Sequence, residues 1–138
     1  MLQSKSLDDL SEVAKSLIGS AKDVRRIAFK GNLGAGKTTL VGRILKELDC
    51  PDFNGSPTFS LVNEYISPIG QRIYHFDFYR INEEEEAFDI GWDEYLADEY
   101  AWLLIEWPER IENILPEHFL LVDIQVENGI RTFQQKLF

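Results

Sequence analysis

Residues 31–38 read Gly-Asn-Leu-Gly-Ala-Gly-Lys-Thr, and no other stretch constrains the chain as tightly. They meet every fixed position of the pattern G-x-x-x-x-G-K-[ST]. Glycines let the backbone turn sharply and aim successive N–H groups inward at phosphate oxygens. Lys37 supplies a point charge for β- and γ-phosphates, and the Thr38 hydroxyl suits Mg²⁺. The pattern requires a strand before it and a helix after it, because the helix contributes its positive amino end. Both flanks comply. Val24–Lys30 has strand character, with Ile27 and Phe29 on one face and Ala28 on the other. From Lys37 to about Asp49, Leu40, Val41, Ile44, Leu45 and Leu48 form a helical stripe. At an average glycine usage of about 7%, a chance match in a chain of this length has odds of roughly half a percent. Nucleotide binding is therefore the expectation.

The remaining elements are read from periodicity and turn residues. Residues 4–22 predict a helix, opened by a capping box in which Ser6 is followed by Asp9 and closed by Gly19. Its buried face is Leu7, Leu10, Val13, Ala14, Leu17 and Ile18. Residues 51–57 predict a loop, and Phe59–Tyr65 and Arg72–Phe78 predict strands on either side of Ser67-Pro68-Ile69-Gly70. Glu83–Tyr100 predicts two helical pieces broken near Gly91. Trp102–Trp107 predicts a buried strand, ended by Pro108, which starts a short helix through Ile114. Phe119–Glu127 and Ile130–Phe138 flank Asn128-Gly129, a strong hairpin signal. This order predicts an α/β chain, a three-layer P-loop NTPase-like domain with a mixed sheet, a parallel centre and antiparallel flanking strands. One domain spans residues 1–138 in this reading.

Composition narrows the partners. Asp and Glu number 24 against 14 Lys and Arg, a formal charge of −10. Nucleic acid is bound mainly by neutralising its phosphates, so this surface should repel a bare duplex or tRNA. Any nucleic-acid role is expected to run through a partner. The single cysteine, Cys50, forms no internal disulfide, and with two histidines it makes no zinc site. No signal peptide and no membrane span is evident, so the expected compartment is the cytoplasm.

Nucleotide chemistry at such a loop also needs a carboxylate near Mg²⁺, at the carboxyl end of a neighbouring strand. Ile73-Tyr74-His75-Phe76-Asp77 offers Asp77, and Trp102-Leu103-Leu104-Ile105-Glu106 offers Glu106. His75 reads as a core histidine in preference to a ligand. Tyr74, Phe76 and Phe78 read as core packing and not as a base-stacking platform, since basic residues do not interleave them. Trp107 can stack on a nucleobase or pack in the core. Glu83–Glu86 reads as a solvated helix start. No Asn-Lys-x-Asp element of guanine specificity occurs, and the seven arginines form no lid-like cluster.

Four motifs stand in order: Gly31-x-Leu33-Gly34-Ala35-Gly36-Lys37-Thr38-Thr39, Ser56-Pro57-Thr58-Phe59, His75-Phe76-Asp77-x-Tyr79-Arg80 and Glu106-Trp107-Pro108-Glu109. Together they resemble the bacterial ATPase family of tRNA threonylcarbamoyladenosine biosynthesis, the E component of that pathway, over nearly the whole chain. The resemblance implies binding of ATP and Mg²⁺, slow intrinsic hydrolysis, and work beside a transferase and its paralogous scaffold subunit. That assembly modifies the adenosine beside the anticodon of tRNAs reading codons that begin with A. By motif, Gly34, Ala35, Gly36, Lys37, Thr38 and Thr39 would hold the phosphates, and Thr38 and Glu106 the metal. Lys37, Thr58, Asp77 and Glu106 would serve hydrolysis, Thr58 in a switch-like loop and Asp77 by orienting water or metal. Trp107 would stack on adenine. Ser6 and Arg131 are carried over as cofactor-binding residues by position only. Asn32 departs from the aspartate expected after the first glycine. Two further readings are a small metabolite kinase and a nucleotide-gated switch that hardly turns over.

Overall fold

The protein, as a computed structural model, is described over residues 2–4, 7–57 and 60–138, with side chains described from Asp9 onward. Its centre is β2 (Arg26–Gly31), the strand that runs into the glycine loop. Residues 26–29 of β2 are buried, as expected of a strand covered on both faces. Around it lies a seven-stranded sheet in the order β1-β7-β6-β2-β5-β4-β3. The other strands are β1 (Leu2–Ser4), β3 (Val62–Ile66), β4 (Arg72–Asp77), β5 (Trp102–Glu106), β6 (Leu120–Glu127) and β7 (Ile130–Leu137). The strands β6, β2, β5 and β4 run parallel, and β3, β7 and β1 join antiparallel. The mixed sheet with a parallel centre agrees with the sequence reading.

Helices α1 (Leu7–Ser20) and α2 (Lys37–Glu47) cover one face. Leu10, Val13, Leu17, Leu40 and Ile44 pack there against Ile27, Phe29, Ile73, Leu104 and Val122. Helices α3 (Glu85–Asp89) and α4 (Trp92–Ala97), with the 3-10 turn Pro108–Ile114, cover the other. On that side Ala28, Tyr74, Phe76, Phe78, Leu103 and Ile105 surround Trp92. Its indole meets Phe76 and Phe78 edge-on, at ring separations of 5.0 and 5.5 Å. The aromatic stripe is thus core. Because alternate residues of a strand face opposite ways, burying Tyr74 and Phe76 here turns Ile73, His75 and Asp77 toward α2.

Several boundaries differ from the sequence reading, each for a physical reason. The helix predicted over residues 4–22 is α1 at Leu7–Ser20, and Ser4 belongs instead to β1, because Leu2–Ser4 pairs with the distant β7. Gly19 does not end α1, which runs on through Ser20. The strand expected from Val24 starts only at Arg26, after Arg25 adopts φ 56°, and that expected from Phe59 starts at Val62, after Leu61 at φ 62°. The break at Gly91 is present, with φ 91° at the start of α4. At the β6–β7 hairpin Asn128 and Gly129 both have positive φ, as a tight two-residue turn requires. Cys50 is buried, and burial pushes its thiol up from the ordinary value. Among the described residues no helix is long and apolar enough to cross a membrane.

Candidate functional site

The loop between β2 and α2 is shaped by glycine at specific points. Gly34 and Gly36 adopt φ 85° and 101°, and Ala35 donates its N–H to the Asn32 carbonyl at 2.9 Å. A Cβ at Gly36 would stand 2.9 Å from Nε of Arg131. That guanidinium reaches in from β7 and donates to the Ala35 carbonyl at 3.0 Å. Gly36→Ala is therefore expected to cost about 1–3 kcal/mol through left-handed strain and to push Arg131 off the loop. Chemical denaturation measures this, and an unchanged midpoint contradicts it.

Lys37 is buried and retains only 5% of its accessible surface. Its ammonium donates to the Gly31 carbonyl and lies 3.7 Å from the centre of the Trp107 ring, a cation–π contact. Trp107 reaches this place because it has φ 59°, at the bend between β5 and Pro108. Burial lowers the Lys37 ammonium from its ordinary value, against the pull of Glu106, Glu109 and Asp77.

The two carboxylate candidates end adjacent strands at the same level, Asp77 opposite Glu106 in the β4–β5 register. Their surroundings differ. Glu106 is 2% exposed and accepts from the Thr38 hydroxyl at 3.0 and 3.2 Å through its two oxygens. Its Oε2 also lies 2.6 Å from Nε2 of the fully buried His75. Asp77 is half-buried and accepts from the Tyr79 backbone N–H at 3.0 Å. Burial raises the Asp77 carboxyl from its ordinary value; the Tyr79 N–H opposes this, Glu106 adds to it, and His75 and Lys37 lower it. Ser56 completes the cluster, its hydroxyl 3.1 Å from that of Thr38.

Two depressions flank the loop. One, of about 320 Å³, is lined by Gly36, Lys37, Thr38, Thr39, Ser56, Asp77, Glu106, Trp107 and Arg131, among others. The second, of about 390 Å³, lies between residues 30–35, Trp107, Glu109 and residues 123–126 of β6. Leu33, Gly34 and Trp107 wall both. Gly34, Gly36, Lys37, Thr38, Thr39, Asp77, Glu106, Trp107 and Arg131 thus meet in one place, with Ala35 beside them through its carbonyl. Ser6 and Thr58 lie outside the described residues. Ser56 joins the site through Thr38, and the bond of His75 to Glu106 is not evident from the sequence alone. The signal for the latter was His75 sharing a strand face with Asp77.

Among the described residues no three His, Cys, Asp or Glu side chains converge as a metal cage. Mg²⁺ does not ask for one: it is commonly held by one or two protein oxygens, with phosphates and waters completing an octahedron. Thr38 and Glu106 are such a pair of hard oxygen donors, so the residues present fit the ion.

Fold and site together define a P-loop α/β domain with a strand-end carboxylate facing the loop. The family model described as threonylcarbamoyl adenosine biosynthesis protein TsaE matches residues 4–135, and the chain belongs to the TsaE family. It is 39% identical over 108 residues to the tRNA threonylcarbamoyladenosine biosynthesis protein TsaE of Haemophilus influenzae, covering 78% of this chain and 67% of that one. The TsaE protein of Bacillus subtilis is 34% identical over 118 residues, 86% of this chain and 72% of its own length. The crystal structure of Bacillus subtilis YdiB superposes with a TM-score of 0.74 at 26% identity, covering 98% of this chain and 82% of that one. Membership implies nucleotide binding and a part in tRNA threonylcarbamoyladenosine biosynthesis.

Proposed function

We propose that this protein is a Mg²⁺-dependent ATPase, slow alone and stimulated by the transferase and scaffold subunits of the tRNA-modifying assembly, acting in the cytoplasm as one domain over residues 1–138. The observation that carries this reading is the contact of Thr38 with Glu106 beside the buried Lys37. In it, backbone N–H groups of residues 34–39 and the ammonium of Lys37 cradle the phosphates. Thr38 and Glu106 hold Mg²⁺, which when bound neutralises charge on the β- and γ-phosphates. Asp77 orients water or metal beside them, and Arg131 steadies the loop from β7. Trp107 offers its face to adenine, and the depression between residues 30–35 and β6 accommodates the base. Ser6 contributes to nucleotide binding by its position near the start of the chain, and Thr58 to a switch that senses the γ-phosphate, as its family motif implies.

The tRNA is met through the partners. Between Arg80 and Arg110 the chain carries eleven carboxylates and no Lys or Arg, a stretch that repels phosphate. Gel-shift titration of the isolated protein with tRNA at physiological salt should show no submicromolar binding. Phosphate release should be slow for the protein alone, should rise when the transferase assembly is added, and should leave no phosphorylated acceptor. A phosphorylated small molecule would establish the kinase reading instead. Turnover indifferent to the partner subunits would overturn the proposal.

A further inference from the structure

We infer that His75 is a positioning residue, which holds the Glu106 carboxylate in the orientation where Thr38 and a divalent cation meet it. The inference rests on the reading of Glu106 as a Mg²⁺ ligand. The terminal torsion of a glutamate is broad, so nothing intrinsic to Glu106 fixes the plane of its carboxylate. Only its hydrogen bonds do. Thr38 has a single hydroxyl proton, spread over the two oxygens at 3.0 and 3.2 Å. Among the described residues the other donor is Nε2 of His75, 2.6 Å from Oε2, and it approaches from the protein interior. Losing it would free the carboxylate to turn on the side away from the loop.

The imidazole is well placed to act as a fixed support. Its strand is bounded on both sides, with His75 opposite Leu104 of β5 and Asn63 of β3. The Phe53 ring packs near it at 6.0 Å between centres. Among the described residues Nδ1 is buried without a partner, and the one polar contact of the ring there is to Glu106. A side chain present for packing alone would be better apolar, because an unpaired buried nitrogen is a cost. The bond to Glu106 is what offsets that cost. It also sets the tautomer, with the proton on Nε2 and a lone pair left on Nδ1. Metal-site carboxylates are commonly oriented by such outer partners, whose loss lowers metal affinity by about 10–100-fold.

The test compares His75→Phe, which fills the space without a donor, with His75→Gln, whose amide reaches the Nε2 position. Affinity for a fluorescent ATP analogue is measured with Mg²⁺ and with EDTA, alongside Glu106→Gln. We expect His75→Phe to lose about 10–100-fold of the Mg²⁺-dependent gain while its affinity in EDTA stays within about twofold. His75→Gln should recover most of the gain, and Glu106→Gln should lack it. A full gain in His75→Phe beside its loss in Glu106→Gln would reduce His75 to packing and overturn the inference while leaving the metal reading intact. A full gain in Glu106→Gln would overturn both. The unaltered protein gives an independent measurement by ¹⁵N NMR of the imidazole. A proton on Nε2 supports the inference, and a neutral ring protonated on Nδ1, unable to donate to Glu106, refutes it.

Discussion

Lys37→Ala is expected to lower ATP hydrolysis by about 10²–10³-fold, the scale seen when one preorganised electrostatic donor is removed from developing charge. The side chain stands at the turn where phosphates would be gathered, its ammonium bonded to the Gly31 carbonyl and seated over Trp107. Phosphate oxygens would compete with the Gly31 carbonyl for the same ammonium. Since Lys37 is buried, its stem also packs, and the substitution should cost stability of about 0.5–3 kcal/mol. Phosphate release and thermal unfolding measured on one preparation separate the two effects. Unchanged turnover in a natively folded variant would reject this loop as the site.

A loss of at least about 10²-fold, equivalent to roughly 3 kcal/mol, is expected for Glu106→Gln. The amide nearly matches the carboxylate in shape, so the oxygen facing His75 can still accept its proton. The charge is gone, and with it the means to hold a divalent cation beside Thr38. Hydrolysis in the variant should respond little to Mg²⁺ between micromolar and millimolar concentrations, whereas the unaltered protein should respond steeply. Glu106→Ala is the harsher change, because it strands a buried imidazole N–H at a cost of about 1–3 kcal/mol. A Glu106→Gln protein with native rate and native Mg²⁺ response would remove Glu106 from the machinery and leave Asp77 as the remaining carboxylate.

What the sequence made legible follows from the range of the interactions involved. The glycine loop, α2 and the β6–β7 turn are determined by residues close together in the chain, and each was readable. The strand β1 was not, because its identity depends on pairing with residues near 131–133. The same distinction runs through the site. Thr38 and Glu106 announce themselves by motif and by an apolar strand ending in an acid. The burial of Lys37 arises only when Trp107, seventy positions further on, folds over it. The contact of His75 with Glu106 crosses two strands that are neighbours only in the sheet. Alternation gave the face of His75 but not the group that face would meet.

The seat of Lys37 on Trp107 has an optical consequence. The chain has three tryptophans, and Trp92 and Trp102 are enclosed in apolar surroundings, with 0% and 3% of their surface exposed. Trp107 alone is half-buried, with a cation against its ring. Any event that draws the ammonium away, or lays an aromatic base in its place, changes the electric field across that one indole. The protein thus carries an intrinsic fluorophore at the mouth of its own loop, and a stopped-flow trace of the unlabelled chain can time the filling and emptying of the site.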